Sequence, residues 1–501
     1  MLNSNLNDVM KKLYIILWVI LLPLASSFYG CKKYLDINED PNSPAAVNEQ
    51  LLLPGILATF SFEVAGGSPV RVSSFWTKHL AYAVAGPHEG NYRFTGNDAD
   101  NFWRYSSYTD VIKNCRNLIA LANANGKPGY SAIAKIMLAW NMSYITDAFG
   151  DAPFSQASLG ESDVFKPVYD KQEDIYKGIQ ILLDEAIAEA GQNTGTPGAD
   201  DLIYNGNMSK WQNLARTLKA RFYLRLSNAP GYNAVTQANL AIQALDAGAI
   251  TATDMPIMAY SDEPNAENPW FQFAIDGKWS TAPKPSIYYI NLLQSKADPR
   301  LAVQVTTAAA GPNAGQYVGV TNDAAPTPLN NYSSIGPFYS AADAPQYLIK
   351  YAEVPFIRAE AEFLRANKVV TLAVINAYNQ GITASMNMYG ITGTPVTTYL
   401  ANNVLSLIPN TAYDQIMTQK YIANYLQFEA YNDFRRTGFP NLPLNNEVYP
   451  GEPLEVAPEI DIIPVRFPYP SSERSYNAEN IPNDVPTAFR DAMKVPVWWD
   501  N

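Results

Sequence analysis

The chain has 501 residues, 47% of them hydrophobic, and a formal net charge of −12. This composition allows a large core and excludes a globally disordered protein. The length exceeds the ~250–300 residues that one compact core usually holds, which favours two domains or a stacked helical array. The negative charge argues against a nucleic-acid partner, because phosphate binding needs clustered Lys and Arg.

The N-terminal sequence has the pattern of an export signal. Lys11 and Lys12 precede an apolar run over residues 13–25, which is shorter than the ~20 residues of a membrane-spanning helix and fits the core of a signal peptide. Cys31 follows after residues 26–30, which include Ser26, Ser27 and Gly30, and it resembles the lipid acceptor of a bacterial lipoprotein; the alternative is a plain signal peptide with an incidental cysteine. We predict a lipoprotein signal peptide over residues 1–30 and lipidation at Cys31, which would anchor the body to a membrane.

A polar tether is predicted over residues 31–50, which are rich in Pro and Asn. Asp36, Asn38 and Asp40 occupy the first three ligand positions of a calcium loop. Pro41 stands where that loop requires Gly, and the final Glu is missing, so we predict no calcium site here.

Five segments further along carry apolar residues at steps of three or four, which places them on one face of a helix. The stripes occur in neighbouring pairs separated by short Gly/Pro/Asn loops. This pattern predicts an all-α fold of tetratricopeptide-like stacked helix pairs. The stripes are Ile133, Met137, Trp140, Tyr144 and Ala148; Ile175, Ile179, Leu182, Ala186 and Ala190; Trp211, Leu214, Leu218 and Phe222; Val354, Ile357, Ala361 and Leu364; and Ala423, Leu426, Ala430 and Phe434.

Other regions lack the helical period. Residues 251–284, 306–347 and 440–497 are dense in Pro, Gly and Asn but contain many aromatic residues, which favours ordered loops. We therefore predict a single helical domain over residues 51–501, with long irregular loop insertions near 251–347 and 440–497.

The sequence contains few of the residues and motifs that are typical of catalytic sites. His79 and His88 are the only histidines, which excludes a histidine-rich metal site and leaves few options for a catalytic triad. No motif for binding nucleotides or for hydrolase nucleophiles is present. The sequence predicts no enzyme activity, no metal and no cofactor.

One predicted helix carries a dense set of charges. Because these residues lie at helical spacing, ion pairing along the helix explains them better than acid–base catalysis. The set is Glu353, Arg358, Glu360, Glu362 and Arg365.

An ordered series of motifs resembles one family. Gly150 suits a left-handed helix end and Pro153 prevents the helix from continuing. The surrounding string TDAFGDAPFSQA (146–157) resembles the signature of SusD/RagB proteins. Six further matches lie along the chain: DINEDPN (36–42), WQNLARTLKARFYLRL (211–226), DPRL (298–301), YAEVPFIRAEAEF (351–363), QKYIANYLQFEAYNDFRRTGFP (419–440) and RFPYPSSERSYNAEN (466–480).

The resemblance implies a fold and a function. SusD/RagB proteins are surface lipoproteins of Gram-negative outer membranes, with a tetratricopeptide-like helical scaffold and irregular loops that carry the ligand site. They capture oligosaccharides, or peptides in the RagB branch, and act as a hinged lid over a SusC-type TonB-dependent transporter. They are not enzymes. The motifs look closest to the starch-binding, outer-membrane-associated subgroup.

Aromatic residues in polar loops are the candidate ligand contacts, because sugar rings have apolar faces and a polar rim. Trp140 and Trp211 lie on apolar stripes and are assigned to the core, and the pair Trp498 and Trp499 is expected to pin the C-terminus or face the transporter. The candidate ligand-binding residues are Tyr92, Phe94 and Trp103 in residues 86–104; Trp270 and Trp279 in 268–279; and Tyr332 in 331–339.

Capture of oligosaccharides for uptake is the leading prediction. The alternatives are the same scaffold binding peptides, a glycan-processing enzyme, or a structural scaffold that binds no nutrient.

Overall fold

The computed structural model divides the chain into two compact units, Met1–Asn48 and Glu49–Asn501. In the first unit, residues 9–12 are helical. Cys31, the rest of the signal segment and most of the tether lie outside the described residues, so they stay predictions. The structure describes residues 9–12, 48–84, 88–277, 282–322, 328–444 and 462–500.

The second unit is mainly α-helical, as the periodicity predicted. Its longer helices are α1 (Glu49–Thr59), α2 (Ser68–Trp76), α4 (Lys113–Ala124), α5 (Pro128–Phe149), α6 (Gln172–Gln192), α7 (Met208–Arg225), α8 (Ala234–Ala247), α10 (Ile287–Ser295), α13 (Glu353–Arg365), α14 (Leu372–Met388), α15 (Thr394–Asn402), α16 (Pro409–Ala423) and α17 (Phe428–Thr437). Shorter helices are α3 (Gly96–Asp100), α9 (Pro269–Ala274), α11 (Leu301–Gln304), α12 (Pro337–Ser340), α18 (Ser471–Tyr476) and α19 (Phe489–Ala492).

π-helical segments and 3₁₀ turns are also present in the described residues. The π-helical segments are Phe60–Val64 and Asn101–Ile112. The 3₁₀ turns are Glu89–Asn91, Gly160–Ser162, Leu226–Asn228, Leu329–Asn331, Ala478–Asn480 and Trp498–Asp500.

The long helices pack in chain order, giving the predicted tetratricopeptide-like stack. α5 packs on α4 and α6, α7 on α6 and α8, and α13 on α8 and α14. In α5 every residue from Gly129 to Phe149 is buried, so this helix is the centre of the stack.

Four of the five predicted stripes lie in α5, α6, α7 and α13, as expected. The fifth stripe is wrong as a single helix, because α16 ends at Ala423 and α17 begins at Phe428. Leu426 has a φ of 59°, which an α-helix does not accommodate. Its backbone N–H is turned toward the core and donates to Nδ1 of His79 at 3.4 Å.

In the described residues, four short strands form two antiparallel pairs. β1 (Leu80–Tyr82) pairs antiparallel with β3 (Pro283–Pro285), with Leu80 opposite Pro285. β2 (Ile257–Met258) pairs antiparallel with β4 (Gln346–Tyr347). The described parts of the predicted 251–347 insertion are therefore ordered and attached to an early part of the body.

The charged set on α13 pairs mainly between helices, which corrects the expectation of pairing along one helix. Glu362 alone pairs within the set, with Arg365. Glu353 accepts from Arg221 at 2.7 Å, and Glu360 accepts from Arg436 at 2.5 Å. Arg358 donates to Asp246 of α8 at 2.5 Å. These side chains therefore connect α13 to its neighbours.

The core placements of the tryptophans are confirmed. Trp140 and Trp211 have no exposed surface. Trp499 is equally buried, and its Nε1 donates to the carboxylate of Asp147 at 2.9 Å, which pins the C-terminal segment to α5.

One described segment, Glu49–Trp76, is long and apolar enough to cross a membrane by length and composition. Half of its most apolar window is buried inside the body. Leu53, Ile56 and Leu57 have no exposed surface, so this end of the segment packs into the core of the body.

Candidate functional site

A cavity of about 410 Å³ opens to solvent between the π-helix Asn101–Ile112, the loop that follows α5, and α18. Its volume lies within the range of about 300–1,000 Å³ that is typical of small-molecule sites. The lining residues are Trp103, Arg104, Tyr108, Thr109, Lys113, Pro153, Gln156, Ala157, Ser158, Leu159, Gly160, Glu161, Val164, Pro167 and Glu473.

The π-helix decides which side chains face this cavity. Its hydrogen bonds join residues five apart, so residues five apart share a face. Thr109 Oγ1 also donates to the carbonyl of Arg104 at 2.8 Å, five residues back. As a result, Trp103 and Tyr108 form one aligned lining pair, and Arg104 and Thr109 form a second.

The floor of the cavity is aromatic and rigidly packed. The Trp103 ring lies 5.0 Å from that of Tyr108 and meets the ring of Phe149 edge-on at 4.9 Å. The Tyr108 hydroxyl donates to the carbonyl of Pro153 at 2.7 Å. Burial, and then the carboxylate of Glu473, raise the pKa of Tyr108 well above its ordinary value, so this phenol stays neutral.

The loop after α5 forms a second wall. Gly150 ends the helix with a φ of 88° and a ψ of −128°, so its φ is positive, but its conformation is not the left-handed helical one that was expected. The Asp170 carboxylate then accepts from the backbone N–H groups of Phe154 and Ser155, both at 2.8 Å. Gln156 Oε1 accepts from the backbone N–H of Val168 at 3.1 Å, which closes the loop on itself. These bonds explain why the GDAPF string forms a fixed wall.

The rim is polar and balanced in charge. Lys113 Nζ lies 3.9 Å from Glu161 Oε1, and both side chains are exposed. Such an exposed pair contributes little to stability, so both groups are available to hydrogen-bond a ligand. Glu473 is held in place, because it accepts from the Tyr169 hydroxyl at 2.8 Å and from Asn477 at 3.2 Å.

Within the described ranges, no group of three or more His, Cys, Asp or Glu side chains could hold a metal ion. The cavity lining instead offers the aromatic faces of Trp103 and Tyr108 and the hydrogen-bond donors and acceptors of the rim. This is the chemistry of a binding site for a polar, ring-shaped ligand.

Trp103 is the predicted ligand contact that the structure places at this cavity. It belongs to a helix rather than to the loop expected for residues 86–104. Its relative exposure is only 3%, so the ring forms part of the cavity floor rather than a free platform.

Three other candidates serve as anchors of their segments. Tyr92 and Phe94 are buried, and Phe94 packs edge-on against Trp76 and Phe467. Trp270 is buried and belongs to the helix α9, so the expectation that it lies in a loop was wrong. None of these three rings offers an open face here, and their contact with a ligand stays a prediction.

Tyr332 lies apart from the cavity, half-buried against a small apolar cluster of Ala81, Ala83 and Val320. Next to this cluster, the Asn322 side chain joins two segments: it accepts from Tyr82 N–H at 2.9 Å and donates to the Gly90 carbonyl at 2.9 Å. Trp279 lies outside the described residues.

Comparison with known proteins decides the family. Residues 44–470 match the SusD-like family model described as "Starch-binding associating with outer membrane". The chain belongs to the SusD-like family. The description links this family to starch binding and to the outer membrane, and no curated protein sequence matches the chain significantly.

Solved structures of SusD-like proteins share the fold. A chitin-binding protein is 25% identical with a TM-score of 0.75, covering 91% of this chain and 100% of its own. A SusD/RagB family protein from Bacteroides thetaiotaomicron is 23% identical with a TM-score of 0.72, covering 91% and 99%. A chitin-binding SusD homologue from Flavobacterium johnsoniae is 23% identical with a TM-score of 0.73, covering 90% and 98%. These likenesses confirm the helical fold, and the family model confirms the family resemblance.

Several cavity residues of this SusD-like protein were missed by sequence reasoning, notably Tyr108, Gln156 and Glu473. Tyr108 is five residues after Trp103, a spacing that an α-helical reading assigns to different faces. Gln156 lies inside the motif at 146–157 and Glu473 inside the motif at 466–480. Their position in these motifs was the sequence feature that could have identified them as site residues.

Proposed function

We propose that this protein is a cell-surface lipoprotein that captures oligosaccharides and passes them, as a lid, to a SusC-type TonB-dependent outer-membrane transporter. The observation that carries the glycan assignment is the cavity with an aromatic floor and a polar rim, in a chain of a family described as starch-binding. Chitin-binding proteins among its structural neighbours support the same ligand class. The transporter and the lid role rest on the motif resemblance.

The two parts of the cavity match the two parts of a sugar. The rings of Trp103 and Tyr108 suit the apolar CH faces of a pyranose. Gln156, Lys113 and Glu161 supply donors and acceptors for the hydroxyl groups around it. In this role the protein binds its ligand without converting it, so it is not an enzyme.

Filling the cavity tests the site. A Cβ at Gly160 would meet no atom within 4 Å and its φ lies outside the left-handed range, so Gly160→Trp adds bulk to the cavity wall without a backbone clash. We expect titration calorimetry against a neutral glycan panel to show at least tenfold weaker binding, a loss of about 1.4 kcal/mol or more.

Gly55→Trp is the matched control. Gly55 is exposed on α1 and a Cβ there also meets no atom within 4 Å, so this variant should bind like the wild type. Equal affinity of Gly160→Trp and the wild type would remove the cavity as the binding site.

The ligand class is tested by widening the panel. Binding of peptides without binding of any glycan would replace the proposal with a RagB-like function. Release of sugars from polysaccharide by the purified protein would contradict the non-enzymatic role.

The transport partner is tested separately. We expect the full-length lipoprotein, purified from detergent-solubilised outer membranes of its native host, to carry a TonB-dependent barrel protein with it. Purification without any barrel protein would overturn the lid role but leave glycan capture intact.

A further inference from the structure

A second cavity, of about 280 Å³, lies where the loop after α5 begins. None of its lining residues lines the cavity of the proposed function. Its walls come from Gly150 and Asp151, the first turn of α6, the segment around Arg466, and residues 496–498. Its volume is close to the lower limit of about 300 Å³ for small-molecule sites, so it suits a ligand no larger than a monosaccharide.

A buried cation lines this cavity. Arg466 is only 3% exposed. Its Nη2 donates to the Phe149 carbonyl, but its Nε is buried without an acceptor, and it forms no ion pair with any carboxylate of the described residues. Buried charges are normally paired, so Arg466 lacks a counter-charge. Four other buried arginines each have a carboxylate between 2.5 and 2.7 Å away: Arg221, Arg225, Arg300 and Arg436.

The start of α6 adds positive potential to the same cavity. Lys171, Gln172 and Glu173, at the N-terminal end of this 21-residue helix, belong to the lining. The N–H groups at a helix N-terminus carry a partial positive charge, which favours an anion. The Asp151 carboxylate already uses one of them, because it accepts from the Gln172 N–H at 2.9 Å. The buried guanidinium and the helix therefore both favour negative charge here.

The acidic side chains at the cavity limit how much negative charge a ligand can carry. Asp151 pairs with Lys171 at 2.8 Å and Glu173 pairs with Lys177 at 3.0 Å, so each of these carboxylates has a cationic partner. Asp484 is exposed at the rim. Its charge repels a dianion, such as doubly charged phosphate, twice as strongly as a monoanion. The charges therefore favour a single carboxylate group.

We infer that this cavity is a second binding site, for a small monocarboxylate whose carboxyl group pairs with Arg466. Such a ligand gives this arginine the anionic partner that the other buried arginines have within the chain. The inference goes beyond the proposed function and does not depend on it, since the two sites share no lining residue.

Titration calorimetry of the purified protein at pH 7 and low ionic strength tests this site. The probes are glucuronate and lactate, each with its neutral counterpart, glucose and propane-1,2-diol, and inorganic phosphate as a second kind of anion. We expect at least one of the two carboxylates to bind more tightly than its neutral counterpart by a factor of about ten or more, because only the carboxylate pairs with the guanidinium.

Arg466→Gln removes the positive charge but keeps a donor for the Phe149 carbonyl. It should weaken carboxylate binding by a factor of about ten or more, because a charge-assisted hydrogen bond is lost. Arg474→Gln is the matched control: Arg474 donates to the Pro486 carbonyl at 3.0 Å and does not line the cavity, so this variant should bind like the wild type. Gly160→Trp, which fills the other cavity, should also keep carboxylate binding.

Asp484→Asn tests the site without a change in the core. The side chain is exposed, so the variant should fold like the wild type. Loss of the negative charge at the rim should strengthen carboxylate binding by a factor of about three at low ionic strength, and added salt should remove this gain. Asp262→Asn, at an exposed acid that does not line the cavity, is the control and should leave binding unchanged.

The outcomes separate this site from that of the proposed function. Carboxylates that bind no more tightly than their neutral counterparts would overturn the inference, as would unchanged binding by a folded Arg466→Gln protein or lost binding by Gly160→Trp. If Arg466→Gln does not fold, Asp484→Asn decides, and binding equal to that of the wild type would overturn the site. Tighter binding of phosphate than of either carboxylate would overturn the assignment of a monocarboxylate. Absence of glycan binding would overturn the proposed function and leave this inference intact.

Discussion

Trp103 and Tyr108 lie five residues apart on the π-helix, and their ring centroids are 5.0 Å apart. In an α-helix, residues five apart point about 140° away from each other. The wider turn is therefore what brings both rings to one cavity. π-helical turns are frequent at functional sites, and this one positions four lining residues, Trp103, Arg104, Tyr108 and Thr109.

Removing the Trp103 ring should weaken both the fold and the site. The ring packs against Phe149, Tyr169 and Tyr108, so Trp103→Ala leaves a cavity that costs about 3–5 kcal/mol of unfolding free energy, measured by urea unfolding. Trp103→Phe keeps an aromatic floor and should cost less. Tyr105→Ala, on the exposed face of the same helix, is the control and should change stability by no more than about 0.5 kcal/mol. A Trp103→Ala protein as stable as the wild type would show that the ring is not a packed floor.

The buried pair of Glu360 and Arg436 should couple α13 to α17. The guanidinium donates to both carboxylate oxygens, at 2.5 and 2.9 Å, and both side chains are buried. Glu360→Ala removes one of the two carboxylates that pair with the buried Arg436 and leaves it with Asp433 and the Ser227 hydroxyl, so we expect a loss of about 3–5 kcal/mol in unfolding free energy.

The double variant Glu360→Leu/Arg436→Met provides the comparison. Because it removes both charges together, it should be more stable than Glu360→Ala alone. A double variant that loses the sum of the losses measured for Glu360→Leu and for Arg436→Met alone would indicate no coupling between the two helices through this pair.

His79 should make the protein sensitive to mild acid. Burial, and then the charge of Lys350, lower the pKa of His79 from 6.5 to about 3. The neutral ring suits its two partners, because Nδ1 accepts a hydrogen bond from the Leu426 N–H and Nε2 lies 3.3 Å from the Tyr421 carbonyl oxygen. The unfolded chain takes up a proton near pH 6.5 that the folded His79 does not. Its contribution is therefore complete above pH 6.5 and is lost as the pH falls toward 3.

Denaturant unfolding between pH 6.5 and about pH 5 measures this loss, which should reach about 1.4 kcal/mol per pH unit for one histidine. Asp500, whose carboxyl pKa burial raises to about 7, takes up a proton in the folded state within this window and works against the loss, so the contribution of His79 is the difference in slope between the wild type and His79→Gln. His88, whose pKa burial lowers to about 4, contributes in the same window, so His79→Gln should remove the share of one histidine from the slope and His79→Gln/His88→Gln the share of both. An unchanged slope in His79→Gln would contradict a neutral, buried His79.

The sequence predicted the helical stack well, because α5, α6, α7 and α13 each bury a periodic apolar face. It failed at the α16–α17 junction, where the period continues through Leu426 although the backbone there is left-handed. Leu426 has this backbone conformation where its N–H contacts His79, and a tertiary contact of this kind does not alter the spacing of apolar residues in the sequence.

The site was less predictable than the fold. The aromatic content of residues 86–104 predicted that ligand contacts lie there. It does not distinguish an aromatic ring that fills the core, such as Phe94, from one that lines a cavity, such as Trp103. That distinction depends on how the loop after α5 and α18 meet the π-helix, and these segments are far apart in the chain.

The two cysteines should behave oppositely. Cys115 has no exposed surface, and burial raises the pKa of its thiol, so the folded protein should not react there with thiol reagents. Cys31 is the predicted lipid acceptor. In cells that process lipoproteins, Cys31→Ala should abolish incorporation of labelled palmitate and move the protein from the outer-membrane fraction to the soluble fraction. Cys115→Ala, the matched control in a chain with two cysteines, should keep both the label and the membrane location. Palmitate labelling that survives Cys31→Ala would place the lipid elsewhere and leave the predicted signal and tether without their anchor.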